Sequence, residues 1–327
     1  MPRSYQISAF LLILGLFIFV HSCRTPAVIA TLTIQQADEY NNQMRYREAI
    51  SGYQKYIQLA RGLGVYRNLQ MEGAVYRKLA HASSALSLYD SALFYLRKAV
   101  DIDSVGEPNT LNLIEDYRMM GLTYGYKGDY LTSIKFLERS LGLNTGMEKD
   151  LKDTKRNSAG DTHLSIARVN YVIGNYREAE LEALKAFSIF RKIENEFRGL
   201  MESYLLLGKI KIDQENISDG MKLIENSLRI AETNMLNTSG HYQALGSACL
   251  LESKYEEALK YRLKSLEQAE RSDIVSQISW MNVKVGEVYS RIGDDKKALE
   301  QVNLMCQMHL YNGRFNFLCK IINTNRR

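Results

Sequence analysis

Cys23 is the residue in this chain best placed for covalent chemistry. It stands directly behind an apolar run, Ala9 to Val20, in the stretch RSYQISAFLLILGLFIFVHSCRTPAV. A thiol in that position is a core residue, part of a membrane helix, or the point where the mature protein begins. The other groups able to ligate or attack are dispersed. Cys249, Cys306 and Cys319 form no CxxC pair, and if Cys23 is lipidated their odd number rules out a full disulfide framework. They read as buried thiols on helix faces. His81, His163, His241 and His309 share no spacing. No HExxH, phosphate-binding glycine loop, nucleophile elbow or cysteine–histidine pairing appears. The acid pairs Asp101/Asp103 and Glu256/Glu257 fall at helix ends or on solvated faces. These residues point to no catalysis, no cofactor and no metal.

The segment before Cys23 is short. Its twelve apolar residues cover ~18 Å as a helix, against the ~30 Å of a bilayer's hydrocarbon core. Arg3 and the amino terminus supply a positive start, and Ser22 is a small residue before the break. Residues 1–22 therefore read as a secretory signal peptide. Val20-His21-Ser22-Cys23 resembles the bacterial lipobox, in which the cysteine is lipidated and becomes the mature amino terminus. His21 stands where that family usually has a small or apolar residue. An ordinary signal peptide cleaved nearby, and an uncleaved short anchor, are the other readings of the same residues. The resemblance implies a membrane attachment through lipid on Cys23. No aspartate and no acidic run follows the cysteine, which in such lipoproteins implies an outer-membrane location facing the periplasm. Residues 23–33 read as a tether.

The elements behind that tether are written as a repeat. YREAISGYQKYI, YDSALFYLRKAV, YLTSIKFLERSL, YREAELEALKAF and YEEALKYRLKSL are versions of one phrase. Each carries an aromatic residue (Tyr46, Tyr89, Tyr130, Tyr176, Tyr255) three places before a small anchor (Ala49, Ala92, Ser133, Ala179, Ala258). Weaker copies place anchors at Gly220 and Ala298. Twelve residues before the anchors stand Ala37, Ala80, Gly121, Ala167, Gly208, Gly246 and Gly286, a column that played no part in setting the register. Two antiparallel helices come close only where both present small side chains. Gly128-Asp129, Gly174-Asn175 and Gly293-Asp294 supply turns between them.

This pattern resembles the tetratricopeptide repeat, and with the lipobox it resembles tetratricopeptide lipoproteins of the Bacteroidetes. Anchor spacings of 43, 41, 46, 41, 38 and 40 residues exceed the 34 of the common form. The expected fold is all-α: a right-handed α-solenoid of about seven helix pairs over residues 34–310. Residues 143–161 are the most polar stretch and read as an extended helix end plus loop, not a domain boundary, because the register resumes at once. Residues 311–327 form a tail rich in apolar groups, expected either to pack on or cap the last repeat or to be covered by a partner, a second copy or a continuation of the chain.

Net charge is +5, and loss of residues 1–22 removes one arginine and no acid, leaving +4. So weak and mixed a balance excludes nucleic acid as an indicated partner. In the repeats this chain resembles, the first helix of each pair lines a groove. Its groove positions here are Arg77 and His81, Arg118 and Leu122, Leu164 and Arg168, Leu205 and Lys209. One cation per repeat would suit an acidic protein or peptide partner, while Glu115, Asp161 and Glu202 near the same helix starts would offset the charge. The residues Asp103-Ser104-Val105 resemble the O-glycosylation signal of one bacterial phylum. The reading that follows is a lipid-anchored, non-catalytic protein-interaction scaffold of the bacterial envelope. A sensory segment of a signalling or transcription regulator is the alternative. A glycan-capturing outer-membrane lipoprotein fits less well, given a single Trp and no large insertion.

Overall fold

The structure, a computed structural model, describes residues 26–62, 68–105, 110–145, 154–271 and 275–311. Those residues form fourteen α-helices and no strand. No helix among them is long and apolar enough to cross a membrane. Cys23 and most of the tail lie outside the described residues.

The chain divides into two compact units, Met1–Glu148 and Lys149–Arg327. The first holds α1 (Pro26–Asn42), α2 (Tyr46–Gly62), α3 (Leu69–Ala85), α4 (Tyr89–Asp103), α5 (Thr110–Lys127) and α6 (Tyr130–Thr145). The second holds α7 (Thr154–Val172), α8 (Tyr176–Phe190), α9 (Phe197–Asp213), α10 (Ile217–Thr233), α11 (Ser239–Leu251), α12 (Tyr255–Arg271), α13 (Val275–Ile292) and α14 (Asp295–Tyr311). Each odd-numbered helix pairs with the next, and pairs pack side by side within a unit. This is the α-solenoid type of architecture that the repeat implied. The division falls inside residues 143–161, the polar stretch read as an extended helix end plus loop.

The small columns do what close crossing requires. Ala37, Ala49, Ala80, Ala92, Ala167, Ala179 and Ala258 are fully buried. A Cβ added to Gly208 would stand 2.8 Å from the Gly220 carbonyl oxygen, and one on Gly220 would stand 2.7 Å from that of Gly208. The Ser133 hydroxyl, at the same crossing of another pair, donates to the Gly121 carbonyl at 2.6 Å. Seven residues beyond the anchor a second small column is buried: Ala99, Ser140, Ala186, Ser227 and Ser265. Its serines donate back to the partner helix at Ile114, Met201 and Ser239.

One turn joins every pair. The residue five places before each anchor is left-handed: Met44, Ser87, Gly128, Gly174, Glu215, Ser253 and Gly293, with φ between 58° and 89°. The next N–H donates to the carbonyl five residues back, as in Arg45 to Tyr40 at 2.8 Å and Lys254 to Cys249 at 2.8 Å. That closes the first helix with a Schellman bond. Wherever the anchor is preceded by a tyrosine, that tyrosine opens the second helix.

The helical part starts earlier than the sequence suggested. α1 begins at Pro26, a residue suited to the first turn of a helix. Ala30 and Ile34 are buried against Tyr53 and Tyr56 of α2. Residues 28–33 therefore continue a helix and are not tether: Ala30 enters the core shared with α2, while Val28, Ile29 and Leu32 stay exposed.

Candidate functional site

The first helices of successive pairs line clefts in both units. In the first unit, α3 and α5 border a cleft of about 570 Å³. Arg77, His81, Arg118 and Leu122 all line it, as their helical spacing predicts. Met119 and Leu122 offer apolar surface, and Tyr89 and Tyr126 stack with centroids 6.3 Å apart.

The cations of this cleft are not free. The Arg77 guanidinium is bonded to Asp103 and, at 3.3 Å, to Asp116, tying α3 to α4 and α5. Asp103 also accepts from Asn112 at 2.9 Å. Burial, reinforced by Asp103, pushes the Asp116 carboxyl up to about 7 despite the arginine beside it. Arg118 grips Glu115 through two bonds of 2.8 and 2.6 Å. Lys78 on the rim is bonded to Asp38. His81 is exposed, with its ring edge-on to Tyr46. The cleft therefore presents apolar surface between charges that are already paired.

In the second unit the expected row is broken. Arg168 lies outside the cleft and is paired with Glu202 at 2.6 Å. Leu164 is core, 1% exposed, not groove. Lys209 does line a cleft, of about 320 Å³, with Tyr171, Asp213, Gln243, Ser247, Arg262, Trp280 and Lys284. Burial, and then the Arg168 charge, lower the Lys209 pKa, with Asp213 opposing. Lys209 makes no ion pair among the described residues. Asp213 accepts from the Tyr171 hydroxyl at 2.6 Å.

Arg262 was not among the expected groove residues. It comes from α12, a second helix, and is 4% exposed. It occupies the position four residues after the anchor. The equivalents there are Tyr53, Leu96, Leu137, Ala183 and Ile224, all fully buried, and Val302. The missing side chain of Gly246 makes room: a Cβ there would meet Arg262 Nε at 3.2 Å. The guanidinium donates to Ser247 Oγ at 2.8 Å, and Nε has no partner. The signal that marks it in the sequence is a charge in an otherwise apolar repeat column.

Other polar groups have structural roles. His163 is held 2.6 Å from Glu182, and His241 is buried with Nε2 2.8 Å from Ser227 Oγ. Cys249 and Cys306 are buried free thiols, and burial pushes Cys249 up to about 11. In the Asp103-Ser104-Val105 triplet the aspartate is buried against Arg77, leaving only the serine and valine exposed. No group of three metal-ligating side chains occurs among the described residues.

No protein-family model matches the chain, and no curated protein does. Solved structures do. The apo form of the quorum sensor NprR from B. thuringiensis matches with a TM-score of 0.69 at 16% identity, over 94% of this chain and 83% of that one. Aspartyl phosphate phosphatase F from Bacillus subtilis matches at 0.69 and 14%, over 98% and 77%. The Rap conjugation gene regulator of the plasmid pLS20, in complex with the Phr* peptide, matches at 0.67 and 14%, over 88% and 75%. At such identities the likeness is one of fold, and the chain has the tetratricopeptide-type helical-repeat fold.

Proposed function

We propose that this chain is a non-catalytic, lipid-anchored scaffold of the bacterial cell envelope that docks a peptide segment of another protein. Lipid on Cys23 holds it at the outer membrane, facing the periplasm. The observation that carries the docking reading is the α3–α5 cleft, where apolar Met119 and Leu122 lie between internally paired charges. Such a surface rewards burial of apolar side chains without leaving a cation stranded. A tetratricopeptide-type neighbour that holds a Phr* peptide supports a peptide as the occupant.

The docking test is a photo-crosslinking residue placed at Leu122, in the cleft, or at Leu131, which is 69% exposed on a second helix. A band specific to position 122 is expected in native envelopes. Equal labelling at both positions would overturn the docking reading. The anchor is tested by labelled palmitate in the native host, where Cys23→Ala should abolish incorporation. Retained label would overturn the anchor.

The second reading is a sensory segment of a regulator. It is favoured by neighbours described as a quorum sensor and a conjugation gene regulator. Downstream coding sequence for a membrane helix and a regulator would support it.

A further inference from the structure

The geometry points to a carboxylate-binding site in the cleft of the second unit, built on Arg262 and Lys209. It adds a ligand chemistry to the docking reading but does not depend on the first unit's cleft.

Three observations carry it. Arg262 is a charged residue in a column that is otherwise apolar, and it is almost wholly buried. A buried guanidinium without a carboxylate is costly, and a hydrophobic residue of similar size would spare that cost. Arg262 has one hydrogen bond, to a neutral serine, and an orphaned Nε. Arg262 nevertheless lines the cleft. Lys209 lines the same cleft and has no ion pair among the described residues.

The surrounding charges select the ligand. Glu287 holds Lys284 at 3.0 Å and its charge also reaches Arg262 without pairing with it, while Asp213 offsets part of the positive charge near Lys209. What remains suits a single negative charge better than a dianion. A guanidinium offers paired donors to a planar carboxylate. Trp280, 47% exposed at the cleft edge, supplies an apolar wall beside it. The carboxylate source is an Asp or Glu side chain or a peptide chain end.

Trp280 is the only tryptophan in the chain, so its emission reports occupancy. The full chain in detergent is titrated with N-acetyl-glutamate amide, N-acetyl-alanyl-alanine, N-acetyl-glutamine amide and inorganic phosphate. Saturable change with at least one of the two carboxylates, and none with the glutamine amide, is expected; which carboxylate binds distinguishes side chain from chain end. Arg262→Leu installs the residue type of Leu96 and Leu137, so the fold should survive with an equal or higher Tm. It should weaken carboxylate binding at least tenfold, and Lys209→Gln should weaken it several-fold. Undiminished binding by the Arg262→Leu variant, equal binding of the amide, tighter binding of phosphate, or no binding of any probe would each overturn the proposal. A failed crosslink at Leu122 would leave it standing.

Discussion

Gly208 and Gly220 meet backbone to backbone where α9 crosses α10. A Cβ on Gly208 would also stand 2.5 Å from Ile224 Cγ1, with no space to enter. Gly208→Ala should therefore cost about 2 kcal/mol or more, by forcing apart a packed crossing. A methyl group added at Gly142, on α6, would have nothing within 4 Å of it. The same substitution there should be neutral or stabilise by up to ~1 kcal/mol, through helix propensity alone. Denaturant midpoints of the two variants should move in opposite directions, and a shared direction would refute the crossing as the cause.

The left-handed turn residues yield a second expectation. Glu215 has φ of 66° and Met44 of 59°, in a backbone region that favours glycine. Glu215→Gly should raise stability by roughly 0.5–1 kcal/mol, while Gly174→Ala, at φ of 84°, should lower it by about 1 kcal/mol. Thermal unfolding of the two single variants measures both signs.

How much of this was legible in the sequence depends on how local the cause is. Ala37 and Ala49, or Gly208 and Gly220, are small for a steric reason that any residue at that position would feel, so a column comparison exposes the helix crossing. The turn is half-legible: Gly128, Gly174 and Gly293 declare it, whereas Met44, Ser87 and Glu215 adopt the same conformation without the residue type that announces it. The groove was legible in position but not in charge. Arg77 and Arg118 line their cleft, yet Arg77 is bonded to Asp103 and Asp116, 26 and 39 residues away. Helical periodicity carries no information about such partners. Arg262 escapes a reading of the first helices because it belongs to the second-helix column, where it is the anomaly.

The Arg77–Asp103–Asp116 cluster makes a pH-dependent prediction. Two carboxyls share one guanidinium, and Asp116 titrates at about 7 when folded against 3.8 ordinarily. The folded state binds that proton more tightly than the unfolded chain. Its stabilising contribution is complete below pH 3.8 and is lost as pH rises through 7. Asp116→Asn is neutral throughout, so it should gain on the wild type by up to ~4 kcal/mol between pH 4 and pH 7. Unfolding free energies of both proteins across that range, compared at each pH, provide the check. A constant difference would mean that Asp116 titrates alike in both states.

His241 gives the opposite slope. It is 1% exposed, and burial together with the Lys209 charge holds it down to about 4, against 6.5 ordinarily. Glu232 and the Thr238 backbone oppose this weakly. Ser227 donates to the Met201 carbonyl, so it accepts from His241 Nε2–H, and the neutral ring is the one this site fits. Here the unfolded chain binds the proton more tightly than the folded one. Stability is therefore unaffected above pH 6.5 and falls as pH drops towards 4, by up to ~3 kcal/mol. A His241→Gln variant keeps a donor for Ser227 and cannot charge. It should start less stable at pH 7.5 and close the gap as acid is added. Because Lys209 is one of the groups that depress His241, Lys209→Gln should move the midpoint of that loss to higher pH, tying the core histidine to the cleft whose cation lies beside it. NMR titration of the His241 ring in both backgrounds would measure that coupling, and an unchanged midpoint would show that burial alone sets the value.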